Sequence, residues 1–237
     1  MREVQPELLD QLPPGDPVAA KIHRDILRYN RMQGNFEWFR RVLSQSLQDG
    51  DRVLEIAAGE GRLLSALAQD GLLGPAGRED GNAGNAEPGL QARASRVAAF
   101  DAICPRPENC PEQVEWTVCR AEDFADYGAF DVILVCHFLH QLPEETLRQL
   151  GRQLAGARLI LAAETRRHPL AAGLCRASRL IGFSAEGIGD GLKSIRAGFR
   201  GGELKELLEL DEARWRVKLT ETLLGSYRLI AEKPGQP

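Results

Sequence analysis

Two histidines three residues apart, His137 and His140, follow the apolar run FDVILVC. An imidazole titrates near neutrality, so either could take a proton from a hydroxyl, or could instead cap the turn or pack against a bound molecule. A second chemically suggestive stretch is Glu55-Ile56-Ala57-Ala58-Gly59-Glu60-Gly61. There an acid closes a short apolar strand, small residues let backbone amides approach a ligand, and the amphipathic segment GRLLSALAQDGL presents a helix N-terminus. Glu164 ends a third apolar run, ARLILAAE, and is followed by Arg166, Arg167 and His168, which read either as a solvated loop or as a greeting for an acidic or ketonic substrate.

These groups need elements to hold them. Apolar residues at three- and four-residue spacings from Pro17 to about Leu47 predict helix, interrupted at Gly34. Short β-branched runs predict strands at 52–57, RVAAFD, VEWTVC, FDVILVC and ARLILAAE, the last two buried on both faces. Pro143 and two acids open a helix at PEETLRQLGRQL, and a further helix is expected in the Pro-rich stretch after Asp101. This alternation is that of an α/β, doubly wound sheet. WRVKLTETLLGSYRLIAEKP closes the chain as an antiparallel C-terminal hairpin. Residues 1–237 read as one domain: a helical cap over 1–49, a Gly-, Ala- and Asn-rich mobile insertion over 74–95, and a helical insertion over 168–200. That last segment carries Leu170, Leu174, Leu180, Ile181 and Phe183, which would make an apolar lid.

Thirty Lys and Arg against thirty-four Asp and Glu give a net charge of -4, so no global positive field recruits nucleic acid. No window is apolar enough to span a bilayer, and there is no basic leader, which places the protein in the cytoplasm. Five cysteines without a Cys-x-x-Cys pair suit a reducing compartment, and CPRPENC reads as a turn with incidental thiols.

Small-residue loops of this kind serve several nucleotides. A P-loop is excluded because no Gly-Lys-Ser/Thr follows, and a dinucleotide fingerprint would put the bulky Leu64 where a small residue must let helix and strand touch. Glu55 to Gly61 instead resembles the first motif of the class I S-adenosylmethionine-dependent methyltransferases, with Ala57 at the first glycine, a change expected to require negative φ there. The resemblance implies a Rossmann-like seven-stranded sheet and S-adenosyl-L-methionine as cofactor, touching Glu55, Ala57, Gly59 and Gly61. It places at the end of the second strand a carboxylate that takes two ribose hydroxyls, here Asp101 with Ala102, at the family's spacing once 74–95 is set aside. It places adenine contacts at Arg120, Ala121 and Glu122, although the usual acid is replaced by Arg120. Val135 and Cys136 fall beside the cofactor, and Phe138-Leu139-His140-Gln141-Leu142 is similar to the family's Leu-His turn, which favours His140 over His137 as base.

NRMQGN and DGLKSIRAGFRGGEL are similar to a bacterial subgroup associated with type III polyketide synthases. The expected substrate is a small, hydrophobic molecule methylated at oxygen or carbon, by a monomer or homodimer. The competing classes are a nucleic-acid methyltransferase, which generally shows Asn/Asp-Pro-Pro-aromatic where this chain has Val-Cys-His-Phe, and a cofactor-binding scaffold without catalysis.

Overall fold

The computed structural model describes residues 1–13, 15–73 and 94–235; the insertion expected over 74–95 therefore falls, apart from Ala94 and Ser95, outside the described residues. Helix α1 (Pro17–Gln33) is capped by the Asp16 carboxylate and ends at Gly34, whose φ of 66° is the left-handed turn that starts α2 (Asn35–Ser46) at a new angle. A chain with a Cβ at residue 34 would have to pay strain to make this bend.

Seven strands form one sheet in the order β3-β2-β1-β4-β5-β7-β6. Strands β1 (Arg52–Ile56), β2 (Arg96–Asp101), β3 (Val114–Val118), β4 (Val132–Cys136) and β5 (Leu159–Thr165) run parallel. The hairpin β6 (Arg216–Glu221) and β7 (Ser226–Glu232) closes the edge antiparallel, with β7 against β5. Central strands need apolar side chains on both faces, and they have them. Leu54, Ile56, Ile133 and Val135 pack with α4 (Glu144–Gln153) and α7 (Glu203–Leu207), while Val53, Leu134 and Leu161 pack with α2 and α3 (Arg62–Gln69).

Two expectations change. The stretch from Ala102 to Gln113 contains turns and no helix, because Pro105, Pro107 and Pro111 each lack an amide donor. The 168–200 segment is helical, as α5 (Pro169–Ala177) and α6 (Ala185–Ala197), but Leu170, Leu174, Leu180 and Ile181 lie exposed. The two helices pack through smaller residues, Ala171 and Cys175 against Ile195, which leaves the leucines on the outer side and only Phe183 of the five on the inner one.

Candidate active site

The strand order reverses between β1 and β4, so the loops leaving their carboxyl ends diverge and open a crevice. A cavity of about 820 Å³ occupies it, walled by the β1, β2 and β4 loops below and by α1, α6 and residues Glu7 to Pro13 above. Glu55, Ala57, Gly59, Asp101, Ala102, Cys136, His137 and His140 all line it. Gly61 instead faces the side chains of Pro107 and Trp116, Val135 is core, and Arg120, Ala121 and Glu122 stand apart, with Arg120 paired to Glu122 at 3.4 Å.

The β1 loop winds through three left-handed residues: Ala57 (φ 53°), Gly59 (56°) and Gly61 (64°). Ala57 thus has positive φ where negative was expected. The path from β1 to the α3 N-terminus dictates the conformation, and the methyl group is tolerated at a cost of about 1–2 kcal/mol. A Cβ on Gly59 would enter open space, as a loop shaped to admit a ligand requires. Asp101 organises both loops: Oδ2 accepts from the Gly59 amide (2.9 Å) and Oδ1 from the amides of Ile103 (2.9 Å) and Cys104 (2.8 Å). Glu55 is buried at 3% exposure. Burial pushes its carboxyl up to about 8, opposed in part by the Leu64 amide, and Oε2 has no partner among the described residues.

Past β4, His137 adopts φ 57°, with its Nε2 3.2 Å from Asn35 Nδ2. Burial lowers its pKa to about 4, so the ring is neutral at pH 7. The neighbouring Cys136 thiol is pushed up by burial and donates to Asn30 Oδ1 at 3.5 Å.

His140 is in a different state. Its Nδ1 meets Glu164 Oε2 at 2.7 Å and its Nε2 meets Glu7 Oε1 at 3.3 Å. Burial alone would lower its pKa, but the two carboxylates raise it to about 10. Glu164 is completely buried and also accepts from the Phe138 (2.9 Å) and Leu139 (2.7 Å) amides. Glu7 is held by Ser194 and by Gln141 (3.2 Å). The segment carrying Glu7 is itself fastened to α6, where the Asp190 carboxylate accepts from the amides of Leu8 (2.8 Å) and Leu9 (2.9 Å). Arg2 adds hydrogen bonds to the carbonyls of His140 (2.8 Å) and Ala197 (2.8 Å).

Arg166 and Arg167 are partnered inside the fold, by Glu221 (2.6 Å) and by Glu203. Glu7 was not visible as a site residue in the sequence, since nothing local distinguishes it. Asn30 carried a weak signal: it lies four and eight residues after Ile26 and Ile22, on the apolar stripe of α1, where a polar residue needs a reason.

No family model and no curated protein matches this sequence. Solved structures do. The plantazolicin methyltransferase BpumL, crystallised with a monoazolic desmethylPZN analog and SAH (S-adenosylhomocysteine), superposes with a TM-score of 0.59 at 13% identity, covering 92% of this chain and 91% of that one. The related BamL, with a triazolic analog and SAH, gives 0.57 at 12% identity, covering 91% of each. A "putative O-methyltransferase" from Nostoc punctiforme PCC 73102 gives 0.54 at 13% identity, over 85% of this chain and 56% of that one. At these identities the likeness defines the fold: the seven-stranded, Rossmann-like methyltransferase sheet with an antiparallel final pair.

Proposed function

We propose that the protein transfers a methyl group from S-adenosyl-L-methionine to an oxygen or carbon of a small, largely apolar molecule. The observation that carries this reading is the cavity at the reversal of strand order, framed at its floor by the Glu55–Gly61 loop and Asp101. The residues present suit that cofactor. Glu55 Oε2, buried and without a partner, suits the ammonium of an amino-acid moiety, the Gly59 turn leaves room for backbone approach, and Asp101 stands at the strand end where ribose hydroxyls would be met. When bound, the group supplies a methyl already activated by sulfonium.

The chain's own residues then have to align the acceptor and exclude water. Ile22, Ile26, Phe36, Phe183, Ile188 and Ile195 give the cavity apolar walls, which supports a hydrophobic acceptor. Acids Glu7, Asp10, Asp16, Asp25 and Asp190 share those walls and disfavour a polyanion, which argues against nucleic acid. His140 does not fit the base role expected of it, since a ring already protonated between two carboxylates has no site for another proton; its part is to position the turn after β4.

Both segments resembling the polyketide-synthase-associated subgroup contribute here, through Asn30 and through Asp190, Gly191 and Ser194, and kinship with that subgroup is retained as part of the proposal. No helix among the described residues is long and apolar enough to cross a membrane, and a small-molecule methyltransferase of the cytoplasm, monomeric or homodimeric, is the reading adopted. Calorimetry tests the core of it: S-adenosylmethionine and S-adenosylhomocysteine should bind and NAD should not. NAD binding without a response to either adenosyl ligand would overturn the assignment.

A further inference from the structure

We propose that His137 is a hydrogen-bond donor with its proton fixed on Nδ1, and that the ligand it faces presents an oxygen acceptor to it. The proton's position is set by a chain of side chains that begins at the sheet edge. Arg228 on β7 can only donate, and its Nη2 and Nε lie 3.2 and 3.4 Å from one atom of the Asn35 amide, which must therefore be Oδ1. Ser226 donates to the same oxygen at 2.8 Å.

The other end of that amide is then Nδ2, and it stands 2.9 Å from Asn30 Oδ1, 2.9 Å from Gln33 Oε1 and 3.2 Å from His137 Nε2. Gln33 is oriented independently: its far amide atom lies 3.0 Å from the Leu224 carbonyl, which only accepts, so that atom is Nε2 and Oε1 is left to face Asn35. An amide nitrogen offers protons and takes none. A proton on His137 Nε2 would point at a donor, so Nε2 is bare, and a neutral imidazole then carries its one proton on Nδ1.

Nδ1 makes no hydrogen bond among the described residues, nor is it one of their unpartnered polar atoms sealed from solvent. His137 lines the cavity, so an Nδ1 that is neither hydrogen-bonded nor sealed from solvent has the cavity as the space it can face. The left-handed backbone at His137, anchored by its amide to the Ala163 carbonyl at 2.8 Å, is a sparsely populated conformation for a side chain of this size, and such outliers gather where a group must be aimed. In this state Nδ1–H cannot remove a proton from an acceptor; it can hold an oxygen in place.

Two oxygens fit that chemistry: the carboxylate of the cofactor's amino-acid moiety, or a carbonyl, enolic or phenolic oxygen of the acceptor. The choice between them rests on the methyl-transfer reading, whereas the tautomer does not. Ring-nitrogen NMR of the full-length, ¹⁵N-labelled protein, with His137→Phe to assign the signals, should show Nδ1 protonated and Nε2 bare at neutral pH. The reverse pattern overturns the proposal. Asn35→Asp, which turns the facing group into an acceptor, should move a proton onto Nε2, an effect that simple loss of packing would not produce.

Calorimetry on His137→Phe identifies the oxygen. If the cofactor's carboxylate is the partner, affinity for S-adenosylhomocysteine should fall about tenfold or more, while that for 5′-deoxy-5′-methylthioadenosine, which lacks the amino acid, stays unchanged. If the acceptor is the partner, the homocysteine ligand should bind as before, and the loaded protein should lose a preference for 1-phenylpropan-2-one over propylbenzene. A variant unaltered in both respects sinks the ligand half of the proposal. Wild-type protein that ignores S-adenosylhomocysteine overturns the methyl-transfer reading instead, and the NMR result still judges the tautomer.

Discussion

Glu164 and Glu7 hold opposite nitrogens of one imidazole, that of His140, from the end of β5 and from the N-terminal segment. Both acids are held below their ordinary range despite burial, chiefly by the His140 charge and its hydrogen bonds. Removing the ring by His140→Ala leaves two buried carboxylates facing each other, and a loss of about 3–5 kcal/mol is expected, read as a lower midpoint in denaturant. The pH dependence follows from a histidine pKa raised to about 10 in the folded state. This contribution is fully present below the unfolded value of about 6.5 and disappears as pH rises through the folded one. Wild-type stability should fall over that window, and the variant's curve should lack that decline. A parallel decline in both would show that the clamp is not its source.

Glu55 should report cofactor binding through a proton. With its carboxyl pushed up to about 8 it is largely protonated at pH 7, and an ammonium placed against it favours ionisation. Binding of S-adenosylhomocysteine at pH 7 should release up to about one proton, seen as enthalpies that differ between buffers of unlike ionisation enthalpy. Glu55→Gln should abolish that difference. Equal enthalpies in all buffers for the wild type would exclude the contact.

Asp101 is committed to three backbone amides, so its loss should loosen the loops and, on the methyl-transfer reading, also remove the Oδ2 lone pair left for a ribose hydroxyl. Asp101→Ala is expected to weaken S-adenosylhomocysteine binding by about 2–4 kcal/mol, and Asp101→Asn by less, because one oxygen remains. An unchanged dissociation constant for the alanine variant would remove Asp101 from the site.

Ala57 offers a test in the opposite direction. Its left-handed φ of 53° costs an alanine about 1–2 kcal/mol, while glycine there would add about 0.5–1 kcal/mol of unfolded-state entropy. The first effect is larger, so Ala57→Gly should raise the melting temperature slightly. A drop would mean that the methyl group packs usefully.

The strands were legible because β4 and β5 are nearly unbroken apolar runs, and β1's acid and small residues marked the loop that lines the cavity. Asp101 stood out in the same way, from its place at a strand end, and it lines the cavity; its hold on the Gly59, Ile103 and Cys104 amides was not legible. What escaped was long-range. His140 looks like a free base in sequence because its second partner, Glu7, lies 133 residues away, and a pKa depends on such neighbours more than on local residues. The lid leucines misled because helical periodicity identifies a face and not what lies beneath it; the cavity uses Gly187, Ile188, Gly191 and Ser194 of α6 instead. Ala57 was misjudged because sequence fixes the residue's preference, whereas the closure of β1 onto α3 fixes its φ.

The fastening of the N-terminal segment to α6 also imposes an order on biosynthesis. Glu7 leaves the ribosome well before its Ser194 partner, which is 187 residues further along. At roughly 5–20 residues per second, Glu7 waits on the order of 10–40 s for a place to dock. The upper wall of the cavity is therefore among the last parts of the molecule to be assembled during translation, after the parallel strands that form its floor have been synthesised.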